Sequence, residues 1–454
     1  MQKVRYAGGV PLKRSKPRGS RPCGASRMEG RSKDMKGNVI VGQSGGPTAV
    51  INSSLAGVFK TAMERGYNKV YGMRYGIQGF MDEQYVDLSD YIKNELDLSL
   101  LKRTPSAFLG TCRYKLPEIH ENKEVYEKIF ELLDKLDIEV FIYIGGNDSM
   151  DTIRKLSDYA LLTGAKQKFV GCPKTIDNDL AITDHTPGFG SAAKYIATST
   201  KEIIRDAMGF SYKKKNVTII EIMGRNAGWL TGSAALSAGE DCDGPDLIYV
   251  PEVPFDVESF TEKIEKLLEE KDVVVACVSE GIRTKEGKYI CEFTSGSDSK
   301  DAFGHIQMTG TAAYLAEVVH QKLGCKTRAV EFSTLQRSAA HLASKVDVDE
   351  AFMVGGATVK AADEGSTGVM VVIDRVSDDP YQSATGVYDV HRIANDEKVI
   401  PRKWINKEGD YVTKEFIDYA RPLIQGHYNP TMVDGLPRHL SMNIRNYEWL
   451  NRKK

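Results

Sequence analysis

Val140-Phe141-Ile142-Tyr143-Ile144-Gly145-Gly146-Asn147-Asp148-Ser149 is the stretch on which the fold turns. Five apolar residues in a row read as a strand buried on both faces. The paired glycines then open a loop, and residues beyond Ser149 take up helical spacing. The same grammar appears upstream. Val39-Ile40-Val41 is followed by Gly42-Gln43-Ser44-Gly45-Gly46-Pro47-Thr48, after which Val50, Leu55, Val58, Phe59, Ala62 and Met63 fall on a helical face. It recurs downstream, where Phe169–Cys172 ends in Pro173-Lys174-Thr175-Ile176-Asp177-Asn178-Asp179. Val217–Met223 ends in Gly224-Arg225, and Val273–Val278 ends in Ser279-Glu280. Glu124–Leu136 reads as a helix between two of these units. Strands alternating with helices imply parallel sheets wrapped by helices. In such sheets ligands gather at the carboxyl ends of the strands, where every one of these polar clusters falls.

Composition sets wide bounds. A chain of 454 residues with 41% hydrophobic and 27% charged content is long enough for two or more domains with a sizeable core. No window reaches 18 uncharged apolar residues, so no membrane span is expected. Seven cysteines at 23, 112, 172, 242, 277, 291 and 325 form no CxxC pair, which points to a reducing, cytoplasmic setting. Cys172 and Cys277 close apolar runs and read as core strand residues rather than metal ligands. Residues 1–37 carry eleven Lys/Arg against two Asp/Glu, a balance of +9 that leaves −10 on the rest of a chain of net charge −1. The leader is expected to be a disordered basic tail, with Met28 and Met35 as internal start candidates. A body of charge −10 offers nothing general to nucleic acid. Lys213-Lys214-Lys215 reads as a solvated loop, and Gly188-Phe189-Gly190-Ser191 as a helix N-terminal turn.

The clusters carry the chemistry. Two adjacent glycines after a strand, at Gly45-Gly46 and again at Gly145-Gly146, let backbone N–H groups approach an anion closely. A ligand-free tight turn would use the same residues. Asp148 or Ser149 also fits a plain helix cap. Asp177 and Asp179, two residues apart at a strand end, can point into one cleft. One would accept a hydroxyl proton while the other orients a metal or a cation. Lys174 beside them is a point charge suited to phosphate oxygens. Gly224 with Arg225 offers close approach and a phosphate fork. Glu280 can bond sugar hydroxyls or face water. Arg328 and Arg337 flank a short strand predicted over Ala329–Phe332.

In order and spacing these clusters resemble the phosphofructokinase family. The matching residues are Ser44-Gly45-Gly46, Phe108-Leu109-Gly110-Thr111-Cys112-Arg113, Gly145–Ser149, Pro173–Asp179, Met223-Gly224-Arg225, Ser279-Glu280-Gly281, Thr327-Arg328-Ala329 and Leu335-Gln336-Arg337. The resemblance spans residues 38 to 375 and implies an α/β fold. Two Rossmann-like three-layer αβα domains would place the active site in the cleft between them. Residues 38–188 with 336–376 would bind the phosphate donor, residues 189–335 the sugar phosphate, and residues 377–454 would form a mostly helical and irregular extension packed on both. Within that extension Tyr419–Ile424 is expected to cover the active site or an interface.

The resemblance also assigns roles. It implies that Asp177 is the base for the sugar 1-hydroxyl, that Asp179 is its partner, and that Thr175 touches the transferred phosphoryl group. Met223, Gly224, Arg225, Glu280 and Arg337 would hold fructose 6-phosphate. Arg328 matches an arginine lent by a neighbouring subunit, hence an expected dimer or tetramer. Gly45, Gly46, Arg113, Gly146, Asp148 and Lys174 would hold the donor. ATP-using bacterial members carry glycine where Asp148 and Lys174 stand here. The pair therefore implies pyrophosphate as donor, the acid repelling a nucleotide α-phosphate and the lysine filling its space. The cofactor implied is Mg²⁺. Asn147 stands where an acid is common, so Asp148 is the expected ligand, with Asn147 or Asp177 sharing the task. Pro47, Asn216 and Thr334 also depart from the ATP-type pattern, leaving an allosteric nucleotide site unsupported. The alternatives are an ATP-dependent enzyme with an unusual donor loop and a catalytically silent sugar-phosphate-binding regulator.

Overall fold

Strands buried on both faces need side chains that tolerate two apolar neighbours, and the strand sequences supply them. The computed structural model describes residues 36–442 except 213, 294–307 and 394–396. The basic leader before Lys36, with Cys23, Met28 and Met35, lies outside the described residues, as does Lys213. In chain order the strands of the two larger sheets are β1 (Asn38–Gln43), β2 (Val70–Met73), β3 (Tyr85–Asp87), β4 (Ile138–Gly145), β5 (Lys168–Pro173), β6 (Asn216–Ile222), β7 (Leu247–Tyr249), β8 (Val273–Ser279), β9 (Lys326–Glu331), β10 (Val369–Asp378) and β11 (Tyr381–Asp389). The helices that matter below are α1 (Ile51–Glu64), α2 (Asn147–Thr163), α3 (Phe189–Gly209), α4 (Thr311–Leu323), α5 (Lys345–Asp363) and α6 (Lys414–Ala420).

Seven strands form one sheet in the order β11-β10-β5-β4-β1-β2-β3. Its centre is parallel, with Val41 opposite Ile142 and Ile142 opposite Val170. Val39 and Val41 join the apolar layer on one face with Leu55 and Val58, while Ile40 joins the layer on the other with Phe141 and Phe130. That alternation requires helices on both sides. The second sheet, β7-β8-β6-β9, is parallel throughout, with Val217 opposite both Val274 and Thr327. Cys172 and Cys277 sit buried and unpaired on β5 and β8, as core residues.

Topology fixes where ligands can bind. From β1 the chain moves one way to β2, then crosses to the other side for β4. The loop after β1, residues 44–48, and the turn at Gly146 between β4 and α2 therefore flank a switch point, where the helices diverge and leave a crevice. In the second sheet β6 lies between β8 and β9, and the loops after β6 and β8 carry Met223-Gly224-Arg225 and Glu280.

Two close helix contacts hold α1 behind the first crevice. A Cβ on Gly57 would stand 2.1 Å from the Phe352 carbonyl oxygen, and one on Gly355 would stand 2.0 Å from that of Ser54. Only glycine lets α1 and α5 approach so far.

The chain beyond 376 differs from the mostly helical and irregular extension expected. β10 runs on to Asp378, and β11 is a nine-residue antiparallel edge strand of the first sheet. Its sequence, Tyr-Gln-Ser-Ala-Thr-Gly-Val-Tyr-Asp, has no apolar run to reveal it. An edge strand with one wet face is held by its backbone ladder to β10 and needs none. Further on, the extension packs on the other sheet's lobe. Phe416 stacks on Trp229 at 6.0 Å between ring centroids, and Tyr419 meets the same ring at 5.4 Å. Among the described residues no helix is long and apolar enough to cross a membrane.

Candidate active site

The donor end begins at the loop after β1. Gly45 has φ +73°, a backbone conformation open to glycine, and its N–H donates to the Cys112 carbonyl at 3.2 Å. A Cβ there would stand 3.4 Å from Lys174 Nζ, and one on Gly46 would stand 3.3 Å from an Arg337 guanidinium nitrogen. The glycine pair thus faces two cations, as an anion-binding loop should. Lys174 is only 3% exposed, and its ammonium donates to the Gly46 carbonyl at 2.8 Å. Burial pulls its pKa down to about 8, against the pull of Asp177 and Asp179 and helped by Arg337 and Arg113.

The loop after β4 closes this end. The Lys174 N–H donates to the Gly145 carbonyl at 3.0 Å, and the Lys174 carbonyl lies 3.7 Å from where a Gly146 side chain would start. Asp148 lies in the first turn of α2 and is exposed. The buried Oδ1 of Asn147 has no hydrogen-bond partner. Such an orphaned acceptor suits a cation or its bound water.

The catalytic loop follows β5. Thr175 Oγ1 donates to Asp177 Oδ2 at 3.3 Å and accepts from the Asp177 N–H at 3.1 Å, which turns the Asp177 carboxylate back along the loop. Burial pushes the Asp177 carboxyl above the usual range, while Lys174, the Thr175 hydroxyl, Arg337 and Arg225 act to keep it charged. Burial, with the neighbouring Asp177, pushes Asp179 up to about 7. Two carboxyls in one desolvated corner cannot both ionise freely.

The acceptor end is a cavity of about 300 Å³ lined by Arg113, Met223, Arg225, Glu280, Gln336 and Arg337, among others. Gly224 has φ +148°, and its N–H lies 3.4 Å from Glu280 Oε1. Its carbonyl accepts from the Ser279 hydroxyl at 2.5 Å, so the loops after β6 and β8 are stitched together. Burial pushes Glu280 up to about 8. Burial and the adjacent Arg113 pull Arg337 below the usual guanidinium range.

The structure therefore gathers Gly45, Gly46, Arg113, Lys174, Thr175, Asp177, Asp179, Met223, Gly224, Arg225, Glu280 and Arg337 about one cleft. Arg328 stands apart. It is exposed on the outer strand β9, does not line the cavity, and pairs with Asp206 at 2.9 Å. Among the described residues no group of three His, Cys, Asp or Glu could hold a metal. The sequence reading missed Gln336, whose Oε1 accepts from the Met223 N–H at 3.3 Å. It also passed over Glu221. Glu221 lines the cavity, and burial pushes it up to about 7 while the Ala312 N–H donates to it at 2.8 Å.

Comparison with known proteins finds relatives that cover most of the chain. A pyrophosphate–fructose 6-phosphate 1-phosphotransferase of Xanthomonas campestris pv. campestris strain B100 is 41% identical over 407 residues, 89% of this chain and 96% of the relative. That of Halomonas elongata is 39% identical over 88% of this chain and 95% of its own length. Among solved structures, a pyrophosphate-dependent phosphofructokinase from Marinobacter aquaeolei superposes with a TM-score of 0.80 at 36% identity, covering 90% of this chain and 96% of the other. With the phosphofructokinase family model matching residues 38–360 as well, the chain belongs to the phosphofructokinase family.

Proposed function

We propose that this chain transfers a phosphoryl group from pyrophosphate to the 1-hydroxyl of fructose 6-phosphate, giving fructose 1,6-bisphosphate and phosphate. The observation that carries the donor assignment is the buried Lys174 ammonium resting on the Gly46 carbonyl, inside the loop that receives the donor. A lysine there supplies charge to a compact anion and occupies room that a nucleoside would need. Asp148 is exposed, so solvent screens its repulsion of a nucleotide. Lys174 then carries more of the discrimination than the acid does.

Asp177 accepts the proton of the sugar 1-hydroxyl as its oxygen bonds the terminal phosphorus of pyrophosphate. The bridging P–O bond breaks, and phosphate leaves with the electron pair. Lys174 and Arg113 neutralise the donor oxygens, and Thr175 steadies the group in transit. Arg337 and Arg225 grip the 6-phosphate, and Glu280 bonds the sugar. Lys174, Arg337 and Arg225 favour the charged Asp177 carboxylate, and Asp179 stands beside it as its partner. Such a reaction is catalysed chiefly by positioning and charge neutralisation. Pyrophosphate as donor makes the reaction readily reversible.

Mg²⁺ is the proposed cofactor. It commonly takes one or two protein oxygens and fills the rest of its shell with water and phosphate. The orphaned Asn147 Oδ1 and the carboxylates of Asp148 and Asp177 fit that demand. When bound, the ion neutralises phosphate charge. Self-association is part of the proposal, because Arg328 on the outward face of β9 serves a site only if a second copy receives it. Phe210 and Tyr212, 56% and 82% exposed, offer apolar surface on the same lobe. The proposed setting is the cytoplasm.

Purified protein given fructose 6-phosphate and Mg²⁺ is expected to turn over with pyrophosphate and scarcely with ATP. Comparable turnover with ATP would overturn the donor assignment. Replacing Asp148 and Lys174 together by glycine is expected to admit ATP.

A further inference from the structure

Asn178 sits between Asp177 and Asp179, and the role inferred for its partners rests on the catalytic assignment of those two carboxylates. It is wholly buried, at φ 55°, in the left-handed region that asparagine tolerates better than most residues. Every polar atom of its side chain is used. Oδ1 accepts from the Thr186 N–H at 3.1 Å and from Lys398 Nζ at 3.3 Å, and Nδ2 donates to the Tyr419 hydroxyl at 2.9 Å.

Lys398 and Tyr419 both come from the extension. The Lys398 ammonium has three donors, and it spends the other two on the carbonyls of Thr183, at 3.1 Å, and Asp184, at 2.7 Å. Its backbone N–H donates to the Asp179 carbonyl at 2.8 Å. The Tyr419 hydroxyl donates to the same Asp184 carbonyl at 2.7 Å. Two side chains thus grip both ends of the loop 178–184. Lys398 is also tied to the acceptor lobe. Its carbonyl accepts from Trp229 Nε1 at 2.9 Å, and its neighbour Glu397 accepts from Asn226, the residue after Arg225, at 3.2 Å.

We propose that Lys398 and Tyr419 are positioning residues for phosphoryl transfer. Held by its side chain, Asn178 cannot rotate, so the carboxylates on either side of it keep a fixed direction toward the sugar-phosphate loop at Met223–Asn226. A brace for stability alone would not need a buried ammonium, whose desolvation opposes its charge and pulls it down to about 8. What the ammonium supplies is three directed bonds to one loop. Neither residue lines the sugar cavity. Misplacing reacting groups by about 1 Å lowers rate by roughly 100-fold without weakening binding.

The test uses full-length protein with Tyr419→Phe, Lys398→Met, the double variant and Asp177→Asn. Each reaction is followed by kcat and KM for both substrates and by thermal melting. Tyr419→Phe and Lys398→Met are expected to lower kcat by roughly 10–100-fold while KM for fructose 6-phosphate moves by less than about threefold. The double variant is expected to fall no further than the worse single one, because both act through Asn178. Tyr419→Phe removes one oxygen and keeps the ring packed, so it carries the test if Lys398→Met does not fold. Unchanged kcat with a lowered melting temperature would make the pair a plain brace and overturn the proposal. So would a raised KM at constant kcat. Turnover retained in Asp177→Asn would instead remove the catalytic reading beneath it, and the proposal with it. That failure is distinguishable because it appears with the clamp intact.

Discussion

At the scale of single residues, the site is a set of groups whose ordinary charges are opposed by burial. Asp179 titrates near 7 and Lys174 near 8, and the proposed reaction needs the first ionised and the second protonated. Activity should therefore rise as pH climbs through about 7 and fall above about 8. Measuring kcat/KM for pyrophosphate from acid to alkaline pH tests this, the two limbs belonging to the coupled cluster rather than to either residue alone. A profile flat across that range would show that neither group matters in the free enzyme. Lys174→Gln is expected to lose the alkaline limb along with most of the activity. The residues of this cluster were legible in sequence because each follows directly on an apolar run that can only be a strand. Lys398 and Tyr419 were not, since they reach Asn178 across 220 and 241 residues and no local pattern encodes so distant a bond.

At the scale of elements, the central strands announced themselves and the edges did not. β4 carries the apolar run Val140–Ile144 and β8 the run Val273–Val278, while β3 has three residues and β11 mixes small and polar residues with Tyr381, Val387 and Tyr388. The α1–α5 crossing was equally hidden, because a glycine that permits contact looks in sequence like one that permits a turn. Its consequence can be measured. Gly57→Val would drive side-chain atoms into the Phe352 carbonyl, 2.1 Å from the first of them, and force the helices apart. Overpacking of this kind typically costs about 1–3 kcal/mol, and a backbone obstacle that cannot rotate away puts Gly57→Val at the upper end. Urea unfolding of variant and parent should show the lower midpoint. An unchanged midpoint would mean that the crossing yields without strain.

At the scale of the whole molecule, the buried acids of the cleft share a sign. Burial raises Glu221 to about 7 and Glu280 to about 8, alongside Asp179. For His185 burial opposes the charge, but the Glu350 and Asp184 carboxylates that bracket it, at 2.6 and 2.8 Å, hold it at about 9. Each of these groups binds its proton more tightly folded than unfolded. Their stabilisation is complete below the unfolded values and is lost as pH rises through the folded ones. The ligand-free protein should accordingly melt several degrees lower at pH 8.5 than at pH 6. Lys174 and Lys398, both drawn down to about 8, act in the opposite sense only above that pH. A melting temperature that climbs between pH 6 and 8.5 would contradict the account. The two-lobed layout was readable in sequence from repeated strand–loop–helix units, whereas the tie between the lobes depends on a tail with few such units. That tie also sets an order in time. The ribosome releases Asp177 and Asp179 more than 200 residues before Lys398 and Tyr419. At ordinary rates of synthesis the gap is roughly 10–40 s. Throughout it the nascent chain holds its reactive loop without the grip that aims it, so on the proposal above an unfinished polypeptide would consume its phosphoryl donor only slowly.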